Sequence, residues 1–169
     1  ELLAKLANFY SESIINNNIE YDFIFGPAYK GITLATSISN SLYNAHNIIK
    51  PFCFNRKEIK KHREAGIFVG SQPKGRALIV DDVISSGKSI IESIDLLSNN
   101  NATPSTVLVA FDRMERGANE KASLEISSKY SIPVFSIITL DDIIEFLTNE
   151  KMMAVELNSM IKYMKIYKG

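Results

Sequence analysis

Apolar positions recur along this chain with two alternating periods. Leu2, Leu3, Leu6, Phe9, Tyr10 and Ile14 fall at helical spacing, so an amphipathic helix opens the chain and Asn16–Asn18 ends it. Tyr21–Phe25 reads as a short strand, Ile32–Tyr43 as a helix, and Pro51–Asn55 as a second strand. Arg56–Gly66 has little apolar content until Ile67-Phe68-Val69 restores it, and Ser71–Lys74 makes a turn. A central strand begins near Arg76. Its four consecutive apolar residues, Ala77–Val80, predict burial on both faces of a parallel sheet, with the strand ending where Asp81 and Asp82 follow. Ile90, Ile91, Ile94 and Leu97 are helical again. After breaks at Asn99–Asn101 and Pro104 come a strand at Thr106–Phe111, a helix at Ala122–Tyr130 and a strand at Pro133–Thr139. A helix at Asp141–Thr148 carries a cap signal in Leu140-Asp141-Asp142, and a last helix covers Met152–Tyr167. Strands alternating with helices predict an α/β fold with a central, mostly parallel sheet flanked by helices.

Length changes this picture little: 169 residues suffice for one domain, residues 1–169, with a sizeable core. Zero formal net charge gives no global reason to expect nucleic acid or a membrane surface as partner. No apolar run reaches membrane-spanning length and no secretory signal is visible. The single Cys53 excludes an internal disulfide and fits a reducing, cytoplasmic setting. The chain begins Glu1-Leu2-Leu3, already in helical rhythm and without Met, so a truncated start is expected. His46 has no visible partner and is expected at the surface.

Candidate chemistry concentrates in Ala77–Ser89. Ligands of open α/β sheets sit beyond the carboxyl ends of strands. The loop Val83–Lys88 would aim backbone N–H groups at an anion at a helix N-terminus, with Ser85, Ser86 and Ser89 adding hydroxyls and Gly87 allowing close approach. Acids beside an anion cradle suit a ligand with both a phosphate and sugar hydroxyls, and the same carboxylates would stabilise positive charge at an anomeric carbon. An ordinary Asx turn and helix cap is the bland alternative. Gly87-Lys88-Ser89 also spells the end of a P-loop, but that motif needs Gly where Asp82 stands. Gly26–Gly31 repeats the strand, Gly-bounded loop, helix grammar, with Lys30 suited to a diphosphate or simply a surface lysine. Arg56–Gly66 holds Arg56, Lys57, Lys60, Lys61, His62 and Arg63 against Glu58 and Glu64. It reads as a lid over a phosphate or as a solvated charged hairpin. Arg113 could grip a carboxylate bidentately, or pair with Asp112 or Glu115.

The stretch Ala77–Ser89 resembles the phosphoribosyl-diphosphate (PRPP) binding motif of type I phosphoribosyltransferases. Phe25–Gly31, Phe54-Asn55-Arg56-Lys57-Glu58, Asp112–Gly117 and Ser136-Ile137-Ile138-Thr139-Leu140 extend the resemblance to the orotate phosphoribosyltransferases. It implies a type I phosphoribosyltransferase fold with a mobile β-hairpin-like loop. It also implies transfer of the phosphoribosyl group from PRPP to orotate, giving orotidine 5′-monophosphate and diphosphate in pyrimidine synthesis. By residue, the resemblance implies that Asp81 and Asp82 hold the ribose hydroxyls and that Val83, Ile84, Ser85, Ser86, Gly87, Lys88 and Ser89 hold the 5′-phosphate. Tyr29, Lys30, Arg56 and Lys57 would meet the diphosphate, with Lys60 and His62 as catalytic lid residues. Arg113 and Ser85 would meet orotate, with Tyr29 and Lys30 near it, and the Ala28–Tyr29 peptide would be cis. Mg²⁺ would be held mainly through PRPP and water. The resemblance further implies a cytoplasmic homodimer whose Arg56–Gly66 loop acts in trans, and allows association with an orotidine monophosphate decarboxylase. The loop departs from the family's usual His-Gly-Glu-Gly-Gly, reading His62-Arg63-Glu64-Ala65-Gly66, which predicts a stiffer lid. Aligned on these motifs, the resemblance leads to the expectation that the family's N-terminal segment lies outside this sequence.

Three other readings are weaker. A PRPP-sensing regulator needs neither a cationic lid nor Arg113. A receiver-type signalling domain would carry its acids after the first strand. Another base-specific phosphoribosyltransferase would not need Arg113 for a carboxylate.

Overall fold

The computed structural model describes residues 1–57 and 66–169. In chain order its elements are helix α1 (Leu2–Asn16), strand β1 (Phe23–Phe25), helix α2 (Lys30–His46) and strands β2 (Phe52–Asn55), β3 (Phe68–Gly70) and β4 (Gly75–Ile84). Helix α3 (Lys88–Ser98), strand β5 (Ala102–Asp112), helix α4 (Ala122–Tyr130), strand β6 (Val134–Thr139) and helices α5 (Leu140–Asn149) and α6 (Ala154–Tyr167) follow. The strands form one sheet in the order β3-β2-β1-β4-β5-β6, parallel except for the antiparallel β2–β3 pair.

Period-two alternation explains why the central strands are apolar throughout. Phe23, Phe25, Ala77, Ile79, Val107 and Val109 pack on one side with Ile90, Ile94 and Leu97 of α3 and Ile126 of α4. Ile24, Leu78, Val80 and Leu108 pack on the other with Tyr10 and Ile14 of α1 and Leu34, Ile38 and Leu42 of α2. The sheet is therefore the middle layer of three, and its interior strands are buried on both faces.

Three boundaries differ from the sequence expectation. Strand β4 does not end before Asp81; it runs to Ile84, because β5 continues beside it and pairs Asp81 with Val109 and Ile84 with Asp112. Strand β5 begins at Ala102 and passes through Pro104, where a register irregularity between Ala77 and Leu78 opens the ladder at the residue that cannot donate to it. Helix α2 begins at Lys30 rather than Ile32, so Lys30 sits in its first turn. His46 is exposed, as expected.

The strand order reverses at β1, which lies between β2 and β4. The carboxyl ends of β1 and β4 consequently lie side by side, and the crevice of this doubly wound sheet opens there. Both candidate anion loops begin at those two ends.

Candidate active site

The loop after β1 closes tightly on itself. A Cβ on Gly26 would stand 1.9 Å from the Gly31 carbonyl oxygen, and one on Gly31 would stand 2.6 Å from the Gly26 carbonyl carbon. Any side chain at either end would force the loop open. Gly31 N–H donates to the Pro27 carbonyl at 3.0 Å, and Ala28 N–H donates to Asn55 Oδ1 at 2.8 Å. The Ala28–Tyr29 peptide is cis, as the resemblance implies. Tyr29 is exposed, with Lys57 Nζ 5.2 Å from its ring centroid.

The loop after β4 is only Ser85–Gly87, shorter than the predicted Val83–Lys88, because Val83 and Ile84 still belong to the strand. Gly87 precedes α3 with φ of 76°, and a Cβ there would meet Ile126 Cδ1 at 2.5 Å. Position 87 thus favours Gly for its left-handed backbone, and a larger residue would also have to displace the end of the Ile126 side chain of α4. The two loops line one open cavity of about 740 Å³, whose walls include Ala28, Asn55, Arg56, Lys57 and Val83–Ser89. Arg56 N–H donates to the Ile67 carbonyl at 2.8 Å, which closes the base of the β2–β3 hairpin at the cavity rim. Lys60 and His62 lie outside the described residues, as do residues 58–65 of the predicted Arg56–Gly66 lid.

Asp81 and Asp82 are adjacent in sequence but serve opposite sides of the sheet. Asp81 turns toward α3. It is 7% exposed and accepts from Ser89 Oγ and from the Asp82 backbone N–H, both at 3.0 Å. Burial pushes its carboxyl above the ordinary carboxylate range, although both hydrogen bonds oppose the shift. Asp82 turns toward α2 and meets Lys30 Nζ at 2.6 Å. That hydrogen bond and the carboxylate charge raise the Lys30 ammonium above its ordinary value. The expected carboxylate pair is therefore one buried and one accessible group.

Arg113 stands at the carboxyl end of the neighbouring strand β5. Its N–H donates to the Ile84 carbonyl at 3.1 Å, which ties it to the end of β4. Asp112 is buried and accepts from Met114 N–H and Ser123 Oγ, both at 2.7 Å, so it holds the turn on which Arg113 is carried. Of the two ion pairs weighed for Arg113, the one with Glu115 is formed, Nε to Oε1 at 3.0 Å.

A family model described as the phosphoribosyl transferase domain matches residues 1–138. The orotate phosphoribosyltransferase of Thiobacillus denitrificans is 46% identical over 168 residues, covering 99% of this chain and 79% of that protein. This chain belongs to the orotate phosphoribosyltransferase family. The crystal structure of the orotate phosphoribosyltransferase from Francisella tularensis superposes with a TM-score of 0.83 at 34% identity, covering 99% of this chain and 80% of that one. Leishmania donovani UMP synthase shares the fold, with a TM-score of 0.73 at 20% identity over 95% of this chain and 32% of that one.

Three positions of this orotate phosphoribosyltransferase chain support the site without having been singled out for it. Asn55 was visible only as a letter of the Phe54–Glu58 motif; its amide oxygen ties the first loop to β2. Tyr10 reads in sequence as one more apolar position of α1. Its buried hydroxyl donates to the Asp81 carbonyl at 2.6 Å, and burial raises its ionisation above the ordinary tyrosine range. Tyr163 reads as a helical residue of α6, and its hydroxyl meets Arg113 and Glu115.

The burial of Asp81 predicts a conflict between stability and activity. A carboxyl raised in the folded state binds its proton more tightly there than in the unfolded chain. Its contribution to folding is then best at low pH and is lost as pH rises through the carboxylate range toward the raised value. Asp81→Asn should accordingly melt higher than the wild type at neutral pH, with the gap narrowing over the range from neutral to acidic pH as Asp81 itself becomes neutral. Thermal melts of both proteins across that range test this; a lower melting temperature at neutral pH would show that the carboxylate's hydrogen bonds outweigh its burial.

Proposed function

We propose that this chain transfers the 5-phosphoribosyl group from PRPP to orotate, giving orotidine 5′-monophosphate and diphosphate in pyrimidine synthesis, with the work divided among the residues at the β1/β4 crevice. The observation that carries this reading is the convergence there of two anion loops, a basic pair and two carboxylates of unlike burial. The loop Ser85–Gly87 and the first turn of α3 present N–H and hydroxyl groups suited to the 5′-phosphate. Arg56, Lys57, Lys30 and the backbone at Tyr29 suit the diphosphate, and Lys60 and His62 would complete its charge by family likeness. Asp82 and Asp81 suit the ribose side. A ring nitrogen of orotate gives up its proton and bonds to the anomeric carbon as the bond from that carbon to the diphosphate oxygen breaks, and diphosphate leaves with the electron pair and can take up that proton. Carboxylates fixed before the reaction stabilise the positive charge that this carbon develops. Lys30 would exchange its Asp82 partner for the diphosphate and so release the carboxylate for the sugar.

Mg²⁺ suits this site as a partner of the substrate. Among the described residues no three His, Cys, Asp or Glu side chains cluster as a cage, and the two carboxylates lean on Ser89 and Lys30. A cation held largely by phosphate oxygens and water fits such a donor set, and would supply charge neutralisation on the leaving diphosphate. Among the described residues no helix is long and apolar enough to cross a membrane; a cytoplasmic homodimer, whose product passes to an associated decarboxylase, completes the proposal.

Arg113 provides the test of the base. Orotate has a carboxylate for the guanidinium fork and uracil does not. In an ultraviolet assay with PRPP and Mg²⁺, orotate should be consumed and uracil should not. Arg113→Lys keeps the charge and loses the fork, so it should raise the KM for orotate about tenfold and leave the KM for PRPP near normal. If both affinities fall together, Arg113 belongs to the fold or to a different site.

A further inference from the structure

We infer that Tyr163, on the C-terminal helix, is a positioning residue for Arg113 and thereby helps set the preference for a carboxylate-bearing base. The inference rests on the reading of Arg113 as the residue that receives the orotate carboxylate.

A guanidinium offers five N–H donors in one plane, and which edge faces a ligand depends on what holds the other edges. Arg113 Nε forms an ion pair with Glu115 Oε1 at 3.0 Å. Arg113 Nη2 donates to the Tyr163 hydroxyl oxygen, and that hydroxyl donates in turn to the same Glu115 oxygen. Two hydrogen bonds and one ion pair thus join the three side chains along the Nε–Nη2 edge of the guanidinium. What remains is the end of the fork: Nη1, which has no hydrogen-bond partner among the described residues, and the outer hydrogen of Nη2. Two parallel N–H groups at that end match a carboxylate. The Tyr163 ring adds a face to the contact, with Arg113 Cζ 5.1 Å from its centroid.

The phenol is well placed to act as a fixed post. Arg116 N–H donates to the Tyr167 carbonyl at 2.7 Å, and Gly169 N–H donates to the Met114 carbonyl at 3.1 Å. Lys168 Nζ reaches Asp141 Oδ2 of α5 at 2.7 Å. The Tyr163 and Tyr167 rings lie 4.6 Å apart. The turn that carries Arg113 and the C-terminal end of the helix that carries Tyr163 are thus tied together by backbone contacts. Partial burial and the neighbouring Glu115 carboxylate both raise the Tyr163 ionisation, which keeps the hydroxyl a donor at neutral pH. A long, rotamer-rich arginine held this way meets its ligand already oriented, and loses less freedom on binding than a free one.

Tyr163→Phe tests this, because it keeps the ring and removes only the hydroxyl. The KM for orotate should rise about three- to tenfold, the size of one ordinary hydrogen bond lost from the support of the fork, while the KM for PRPP and the melting temperature stay near the wild-type values. Combined with Arg113→Lys, the hydroxyl should lose its effect, since the fork it orients is gone. Arg113→Lys alone is the control. If that variant raises the KM for orotate and Tyr163→Phe does not, the role of Tyr163 is overturned and Arg113 keeps its assignment. If Arg113→Lys itself leaves orotate unaffected, the assignment of Arg113 fails first and the inference falls with it. An equal rise in both KM values with a lowered melting temperature, or full additivity in the double variant, would make Tyr163 part of the scaffold and overturn the inference.

Discussion

Asp82→Asn is expected to lower kcat by about tenfold or more while leaving the melting temperature almost unchanged, because each tenfold corresponds to about 1.4 kcal/mol of transition-state stabilisation. The asymmetry follows from where the side chain sits. Among the described residues its charged partner is Lys30, which is exposed, and an exposed ion pair contributes little to folding. Little stability is therefore at stake. In the transition state the same carboxylate would face a ribose whose anomeric carbon carries growing positive charge, and an anion positioned beside that carbon stabilises it. Asparagine keeps the shape and one acceptor but removes the charge. Turnover under saturating PRPP and orotate, with a melting curve on the same preparation, separates the two effects. Unchanged kcat in a folded variant would remove Asp82 from the catalytic set.

A mixture of Lys60→Ala and Asp82→Ala proteins, each nearly inactive alone, is expected to regain activity once subunits exchange. The expectation rests on the proposed homodimer in which the Arg56–Gly66 loop serves the neighbouring site. Six basic side chains in this loop repel one another until a diphosphate supplies counter-charge, so their contribution belongs to the substrate-bound state. In a two-fold dimer each subunit lends a loop and receives one. A heterodimer would then hold one site with the intact Asp82 of one chain and the intact Lys60 of the other, and a second site with neither. Random exchange makes half the dimers mixed, so about a quarter of the wild-type sites would be restored. Activity that stays absent although mixed dimers are shown to form would mean that the loop serves its own subunit.

Much of this molecule is determined by sequence alone. Ala77–Val80 suits a strand buried on both faces, because four apolar residues in a row leave no polar side for solvent, and the structure buries each of them completely. Gly26 and Gly31 marked a loop end to end, because no other residue survives the contact that they make. Such features are local: periodicity, turn chemistry and spacing each act within a dozen residues. The division of labour between Asp81 and Asp82 was decided by the tertiary structure. Their order suggested a matched pair at a strand end, but β5 extends the strand past both, and alternation then sends one carboxylate into the α3 interface and the other toward α2. The surroundings of Arg113 were decided the same way. Glu115 lies two residues away and could be named as a partner from the chain, whereas Tyr163 lies fifty residues on, in a helix whose spacing only marks it as a helical residue. Its meeting with the guanidinium depends on how α6 returns over the turn after β5, and a contact between distant parts of the chain is set by packing, which no local pattern encodes.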